Sequence, residues 1–351
     1  MILDTTYQKQ WLEQKAKELL KGDAKLLEKA VMALCLLEQL KLQDVKLIFK
    51  GGTSLILLLE QPRRFSIDID IIIKEKPKNI NSAFDAIVKE SPFSRWIPDN
   101  ERKINTKAPV EHYKFYYNSV VDSYFGEEPI LLDILYDEHY YNDLHKTPIK
   151  HKWLKTKEPV TIIETPSLED ILGDKLTAFA PNTTGILYEK NKPVEIVKQL
   201  YDIGSLFDEV KNISNVIKTF SPIAKAEAEY RNIKITPTDV LDDIFKTAFM
   251  ISLRDAGDKN FQHLQKGVSN IYNFIFIEKF KIESAIVCAS KAAYISQLIK
   301  QGSKQIENKF SVAEEIKDWS IENQQYNKLN RLKNLIPEAF YYWYHTVNIL
   351  K

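Results

Sequence analysis

Residues 49–73, FKGGTSLILLLEQPRRFSIDIDIII, contain the pattern from which the expected fold follows. It begins within the apolar run VKLIF, which predicts a short buried strand ending at Lys50. Two glycines follow, and TSLILLLE then predicts a buried helix that stops before Pro62. FSIDIDIII, residues 65–73, alternates between polar and apolar residues and then becomes continuously apolar, which predicts a strand inside a sheet. The order is therefore strand, tight turn, helix, strand.

The segments around this stretch predict a mixed sheet flanked by helices. Apolar positions three and four apart predict two amphipathic helices, at 7–20 and 24–42, that cover the sheet unit. HYKFYYNSV and PILLDILYD, residues 112–120 and 129–137, have the composition of further strands.

The pattern turns helical after Pro166, where SLEDILGDKLTAFA begins. We interpret the polar stretch 180–193 as an exposed loop between helices. The expected fold is α+β, with a mixed-sheet domain at 1–165 that includes N-terminal helices at 7–42, and a helical domain at 166–351.

Composition excludes several classes of protein. The 351 residues are 44% hydrophobic and 28% charged, as in ordinary globular proteins. Lys plus Arg number 49 against 48 Asp plus Glu, so no global positive charge favours sequence-independent binding of nucleic acid. Cys35 and Cys288 lie in apolar helical patterns, which favours reduced thiols and a cytoplasmic setting. No signal peptide and no apolar run of about 18 residues is present, so we expect no membrane segment.

The turn between the first strand and helix is a candidate phosphate site. Gly51 and Gly52 are two of only 10 glycines in the chain. They let the backbone approach a ligand, while the N–H groups and the positive end of the next helix attract phosphate. Thr53 and Ser54 add hydroxyl donors. The alternative is an ordinary turn capped by Thr or Ser. The stretch matches neither the Walker A loop nor the dinucleotide fingerprint.

Paired carboxylates follow on the second strand. Asp68 and Asp70 are two residues apart, so a strand presents both on one face, and a divalent cation would relieve their repulsion. Asp133, within ILLDILY, is a third candidate, since an unpaired carboxylate in a buried strand is costly. Three such acids can hold Mg²⁺ together with substrate phosphates, with Asp133 also serving as the base. The alternatives are a solvated strand edge for the pair and a salt-bridged strand acid for Asp133.

The run of residues 49–73 resembles the opening of the AbiEii/AbiGii-type nucleotidyltransferase toxins, members of the DNA polymerase β-like superfamily. The resemblance implies a polymerase-β-like core in which Gly51, Gly52, Thr53 and Ser54 bind triphosphate. It also implies that Asp68 and Asp70 bind Mg²⁺. Ser66, two residues before Asp68, could offer its hydroxyl to the phosphate or metal.

The resemblance continues into the helical half. LEDILGDKLTAFA is similar to the family helix that carries a nucleotide-contacting lysine, here Lys175; alone, a lysine there would be a solvated helix residue. KQLYDIG is similar to a fourth family motif, with Asp202 at its second aspartate, but Lys198 and Gln199 replace the usual Arg-Asp pair. Asp202 is therefore either a functional acid near the nucleotide or a partner on the helix surface.

The function that the resemblance implies is transfer of a nucleoside monophosphate from an NTP to an acceptor hydroxyl. The protein would act as the toxin of a bacterial type IV toxin–antitoxin or abortive-infection system in phage defence. A tRNA 3′ end is then a candidate acceptor, and a cognate antitoxin a candidate partner. One alternative is a catalytically silent nucleotide- or partner-binding module. Another is an interaction protein that uses the aromatic segment FYYWYH, residues 340–345, which we interpret as either a packed helix or a protein-binding face.

Two basic segments are candidate acceptor surfaces. KTPIKHKWLKTK, residues 146–157, surrounds His151 and Trp153 with lysines, a composition suited to phosphates and a stacked base. YNKLNRLKNL, residues 326–335, places further cations on a predicted helix. The alternative for both is ordinary solvated surface. We interpret His112, His139 and His345 as packing residues, because none has a partner at metal-ligand spacing.

Overall fold

A computed structural model describes residues 1–20, 22–102, 107–121, 126–311 and 315–350, with Arg102 by its backbone only. The chain forms two compact units. Met1–Ser167 and Asn273–Glu278 make up the first; Leu168–Tyr272 and the chain from Lys279 onward make up the second. Within the described ranges no helix is both long enough and apolar enough to cross a membrane.

The first unit contains a seven-stranded mixed sheet, so the expected α+β class is confirmed. Its strands follow the order β3-β4-β5-β2-β1-β7-β6, in which β2 runs antiparallel to β1 and parallel to β5. The strands are β1 (Ile48–Lys50), β2 (Ile69–Ile72), β3 (Phe93–Pro98), β4 (Val110–Asn118), β5 (Glu127–Leu135), β6 (Leu144–Pro148) and β7 (Ile162–Pro166). The helices are α1 (Lys9–Lys17), α2 (Ala24–Leu42), α3 (Gly51–Leu58) and α4 (Ile80–Glu90).

Helix α2 is a core helix and not the amphipathic cover expected from its sequence. Every side chain from Ala30 to Leu37 is at most 3% exposed, so the helix is buried on all sides. Asp23 caps its start by accepting hydrogen bonds from the N–H groups of Lys25 and Leu26. One hydrophobic cluster joins α2 to the sheet residues Ile69, Ile71, Leu132 and Ile134.

Two buried carboxylates fix α2 to distant parts of the unit. Glu28 accepts hydrogen bonds from the Ser119 hydroxyl at 2.6 Å and from the Val120 N–H at 2.7 Å. Glu38 accepts from the Ile2 N–H at 2.9 Å and from the Thr161 hydroxyl at 2.8 Å. These bonds satisfy polar groups that would otherwise be costly to bury.

The strand predicted over 65–73 is shorter than expected, because residues before Ile69 pair elsewhere. The Phe65 N–H donates to the Phe274 carbonyl at 2.8 Å. The Asp68 carbonyl accepts a hydrogen bond from the Thr53 hydroxyl at 2.5 Å. Asp68 therefore precedes β2, whereas Asp70 lies within it.

The second unit is helical. The loop at 180–193, which was predicted to be exposed, is half buried. The buried carboxylate of Asp243 holds it by accepting hydrogen bonds from the Asn182 N–H at 2.8 Å, the Asn182 amide at 2.6 Å and the Thr183 hydroxyl at 2.9 Å.

The helices of this unit are α5 (Leu168–Ala178), α6 (Pro193–Glu209), α7 (Ile213–Arg231), α8 (Pro237–Leu253), α9 (Lys259–Asn270), α10 (Ile282–Gln301), α11 (Leu332–Leu335) and α12 (Pro337–Ile349).

The aromatic segment at 340–345 belongs to α12 and packs inside the second unit. Phe340, Tyr341, Tyr342 and Trp343 are each at most 3% exposed. The indole N–H of Trp343 donates to the Ser252 hydroxyl at 2.9 Å. These rings therefore fill a core and do not offer the aromatic binding face that the sequence allowed.

The thiol of Cys35 should be unreactive in the folded protein. It is fully buried on α2, and burial raises its pKa to about 12, so little thiolate exists near neutral pH. We expect iodoacetamide at pH 8 to leave Cys35 unmodified in the native protein and to modify it in guanidinium, as measured by peptide mass spectrometry. Equal labelling in both conditions would contradict the buried position of α2.

Stability of the first unit should fall in mild acid through His151. Burial, followed by the charge of Lys152, lowers the pKa of His151 from 6.5 to about 4. The unfolded chain therefore takes up the proton first as the pH falls from 6.5 towards 4, and the free energy of unfolding decreases across that window. Urea unfolding of the wild type and of His151→Gln should show a steeper loss in the wild type. Parallel pH profiles would contradict this assignment.

Candidate active site

The turn between β1 and α3 places the first residue of the helix, Gly51, against the carboxylate of Asp70. Gly51 has φ +76°, and a Cβ added there would lie 2.2 Å from Oδ2 of Asp70. A Cβ at Gly52 would lie 2.5 Å from Nη2 of Arg64 and 2.9 Å from Oγ of Ser66. Position 51 therefore favours glycine through both its positive φ and its contact with Asp70, whereas a Cβ at Gly52 would have to displace the ends of the Arg64 and Ser66 side chains. Arg64 is 8% exposed and was given no role from the sequence.

The hydroxyls predicted to bind phosphate are engaged within the loop. Thr53 and Ser54 are fully buried. Oγ1 of Thr53 lies 2.9 Å from Oγ of Ser66, and Oγ of Ser54 donates to the Gly51 carbonyl at 2.8 Å. These contacts fix the glycine turn against the chain that leads into β2. A direct role of the three hydroxyls toward a nucleotide stays a prediction.

Four polar residues form a row across adjacent strands. Lys50 on β1 pairs with Asp70 on β2, Asp70 pairs with Asp133 on β5, and Asp133 pairs with His112 on β4. Paired residues of neighbouring strands point to the same side of a sheet. Residues adjacent to the acids, such as Ile69 and Ile134, are fully buried and point into the core. The row thus lies on the face of the sheet opposite Ile69 and Ile134, and Asp68 lies just before β2.

His112 is the residue of this row to which only a packing role was assigned from the sequence. Its Nδ1 lies 2.8 Å from Oδ1 of Asp133, within the antiparallel pair β4–β5. The two side chains are 9% and 20% exposed. The interpretation of His112 as packing alone was therefore wrong. The bounds of the two predicted strands did not carry this signal, because aligning them end to end places Tyr116 opposite Asp133; the observed register pairs His112 with the acid instead.

The acids suit a hard divalent cation in their chemistry. Asp70 and Asp133 present carboxylates side by side, and Mg²⁺ is commonly bound by one or two carboxylates together with substrate phosphates. Among the residues the structure describes, no group of three or more His, Cys, Asp or Glu side chains is arranged to hold a metal. The set in register is therefore a pair of carboxylates.

Lys175 and Asp202 form a buried ion pair between α5 and α6. Nζ of Lys175 lies 3.0 Å from Oδ2 of Asp202 and donates to Oε1 of Gln199 at 2.9 Å. Asp202 is 2% exposed, so the alternative of a helix-surface partner was wrong. Gln199, where the family motif has an aspartate, is a second acceptor for the same ammonium group. The nucleotide-contacting role of Lys175 stays a prediction.

The basic segments do not supply a stacking ring. Trp153 is 1% exposed and packs against Phe65 and Phe276 with ring centroids 5.6 and 5.5 Å apart. The predicted base-stacking role of Trp153 was therefore wrong. In the second segment, Lys333 donates to the carbonyls of Lys317 and Trp319 at 2.9 and 2.7 Å, so its ammonium is bound within the unit.

Replacing Gly51 should test the close approach to Asp70. Gly126 is the matched control, since its φ is +71° but, among the described residues beyond its chain neighbours, no atom lies within 4 Å of an added Cβ. Each Ala variant should lose about 1–2 kcal/mol of unfolding free energy from the positive φ. Gly51→Ala should lose about 1–3 kcal/mol more, because its Cβ overlaps the Asp70 carboxylate. Equal losses in urea unfolding would show that the crowding is absent.

Comparison with known proteins assigns the chain to a family. A family model described as nucleotidyl transferase AbiEii toxin, type IV TA system, matches residues 35–270, about two thirds of the chain. A protein from H. pylori described as a nucleotidyltransferase shares 15% identity at a TM-score of 0.39, covering 79% of this chain and 94% of that one. An antigenic nucleotidyltransferase-like protein from Paracoccidioides brasiliensis shares 13% identity at a TM-score of 0.35, covering 59% and 94%. No match was found among curated proteins. On the family match, the chain belongs to the AbiEii nucleotidyl transferase toxin family of type IV toxin–antitoxin systems.

Proposed function

We propose that the protein is a Mg²⁺-dependent enzyme that transfers a nucleoside monophosphate from an NTP to an acceptor hydroxyl. The observation that supports this most is the register of Asp70 with Asp133 on adjacent strands, directly beside the glycine turn. Family membership supplies the reaction class, and the site supplies two oxygen ligands next to a helix start suited to phosphate.

In the proposed reaction the acceptor oxygen forms a bond to the α-phosphorus of the NTP. The bond from that phosphorus to the bridging oxygen breaks, and pyrophosphate leaves. Asp70 and Asp133 would hold the metal, and the family resemblance adds Asp68, just before β2, as a further ligand. The metal would supply charge neutralisation at the phosphates. Asp133 would also accept the proton of the attacking hydroxyl. The N–H groups of Gly51 and Gly52 would bind the triphosphate.

Residues of the second unit enter the proposal through the family resemblance. Lys175 would neutralise phosphate charge, since a lysine ammonium is a compact point charge. Asp202 and Gln199 would hold that ammonium in place, in keeping with their contacts to it. Thr53, Ser54 and Ser66 would act by keeping the glycine turn in shape.

We propose an RNA 3′ end, including that of tRNA, as the acceptor. A terminal ribose offers a hydroxyl for the attack, and a toxin must alter a component that the cell needs. A type IV toxin also has an antitoxin as its counterpart.

Label transfer tests the proposed function. Purified protein with Mg²⁺, each α-labelled NTP, and total RNA or total protein should transfer label, and EDTA should abolish the transfer. Asp70→Ala and Asp133→Ala should each reduce transfer at least about a hundredfold, because each loses a metal ligand worth several kcal/mol. Asp143→Ala is the matched control, since that side chain is 58% exposed and should leave transfer unchanged.

Two outcomes would oppose the proposal. Transfer that survives Asp70→Ala would place the chemistry elsewhere in the protein. Tight NTP binding in calorimetry with no product from any acceptor would instead favour a silent nucleotide-binding module.

A further inference from the structure

We infer that His112 is a positioning residue that orients the Asp133 carboxylate for nucleotidyl transfer. This inference rests on the proposed function and adds a residue that the family motifs of this sequence do not contain. The observation is the contact of 2.8 Å between Nδ1 of His112 and Oδ1 of Asp133.

The chemistry of the two groups fixes the direction of this hydrogen bond. An ionised carboxylate offers only acceptors, so Nδ1 of His112 carries the hydrogen and donates it to Oδ1. The bond therefore selects one tautomer of the imidazole and one orientation of the carboxylate. Hydrogen bonds of this kind orient carboxylates and histidines around metal sites in general.

The backbone on both sides of His112 is hydrogen-bonded or paired, which fixes the position of its ring relative to Asp133. Strand β4 lies inside the sheet, between β3 and β5. The His112 carbonyl accepts from the Asp99 N–H at 2.7 Å on one side, and its Cα is paired with that of Asp133 on the other. With a side chain only 9% exposed, the ring has little freedom to leave its partner.

The position of Asp133 explains why its orientation matters. It is in register with Asp70, so the two carboxylates must point to a common place to share a cation. A carboxylate that turns freely must be ordered each time the metal and nucleotide bind. A fixed donor on the neighbouring strand removes that cost beforehand. Lost orienting partners of this kind typically weaken metal affinity or activity about 10–100-fold.

Conservative and disruptive variants separate positioning from packing. In His112→Asn the side-chain amide nitrogen can take the place of Nδ1, whereas His112→Gln moves the donor farther out and His112→Phe removes it. We expect His112→Phe to lower the kcat of label transfer about 10–100-fold and to raise the Mg²⁺ concentration needed for half-maximal rate. His112→Asn should retain most of both. On the Asp133→Ala background, His112→Phe should cause no further loss.

Two measurements do not depend on turnover. Mn²⁺ binding in the presence of each of the four nucleoside triphosphates, followed by electron paramagnetic resonance, should weaken in His112→Phe and not in His112→Asn. In ¹⁵N-histidine spectra, His112 should show a protonated, hydrogen-bonded Nδ1 in the wild type that is lost in Asp133→Ala. The spectra use no His112→Phe protein and so remain informative if that variant fails to fold.

The outcomes distinguish this inference from the proposed function. If the wild type transfers label in an Asp70-dependent way and His112→Phe matches it in rate and Mn²⁺ affinity, the positioning role is wrong. Equal losses in the Asn and Phe variants would also overturn it, because they would show a requirement for shape and not for the donor. If the wild type transfers no label, the proposed function fails and this inference with it.

Discussion

The close approach of Gly51 to Asp70 is the constraint on which the candidate site depends. The left-handed φ of Gly51 turns the chain from β1 directly into α3, and the missing Cβ leaves room for the Asp70 carboxylate. A helix start, with its free N–H groups, is thereby placed beside an acid of the neighbouring strand. The buried hydroxyl of Thr53 stabilises the same arrangement by donating a hydrogen bond to the Asp68 carbonyl.

The candidate site residues and the core residues of β2 and β5 lie on opposite faces of the sheet. The row from Lys50 to His112 lies on one face, whereas the alternating isoleucines and leucines of β2 and β5 join the core around α2. Because side chains alternate along a strand, a single register aligns the acids and also completes the core. A shift of one residue would bury Asp70 and Asp133 and expose their apolar neighbours. The hydrophobic cluster therefore protects the alignment of the acids.

In the second unit, Lys175 and Asp202 form an ion pair that is itself buried. Both side chains are less than a tenth exposed, so each charge needs the other. Gln199 adds a neutral acceptor to the lysine, where a second aspartate would have placed two negative charges around one ammonium group. The departure of this sequence from the fourth family motif thus leaves the lysine between one charged and one neutral acceptor.

Local sequence patterns were enough to predict the glycine turn, the apolar helix after it, and the alternation that puts Asp70 opposite the core. These follow from backbone conformation and from periods of two or 3.6 residues, which short stretches reveal. The partners of these residues depend on the tertiary structure. His112 contacts Asp133, 21 residues further along the chain, across a strand pair. Trp153 packs in the core against Phe276, and the Phe65 N–H donates to the Phe274 carbonyl instead of to a strand. Such contacts depend on register and packing between segments far apart in the chain, which no local pattern specifies.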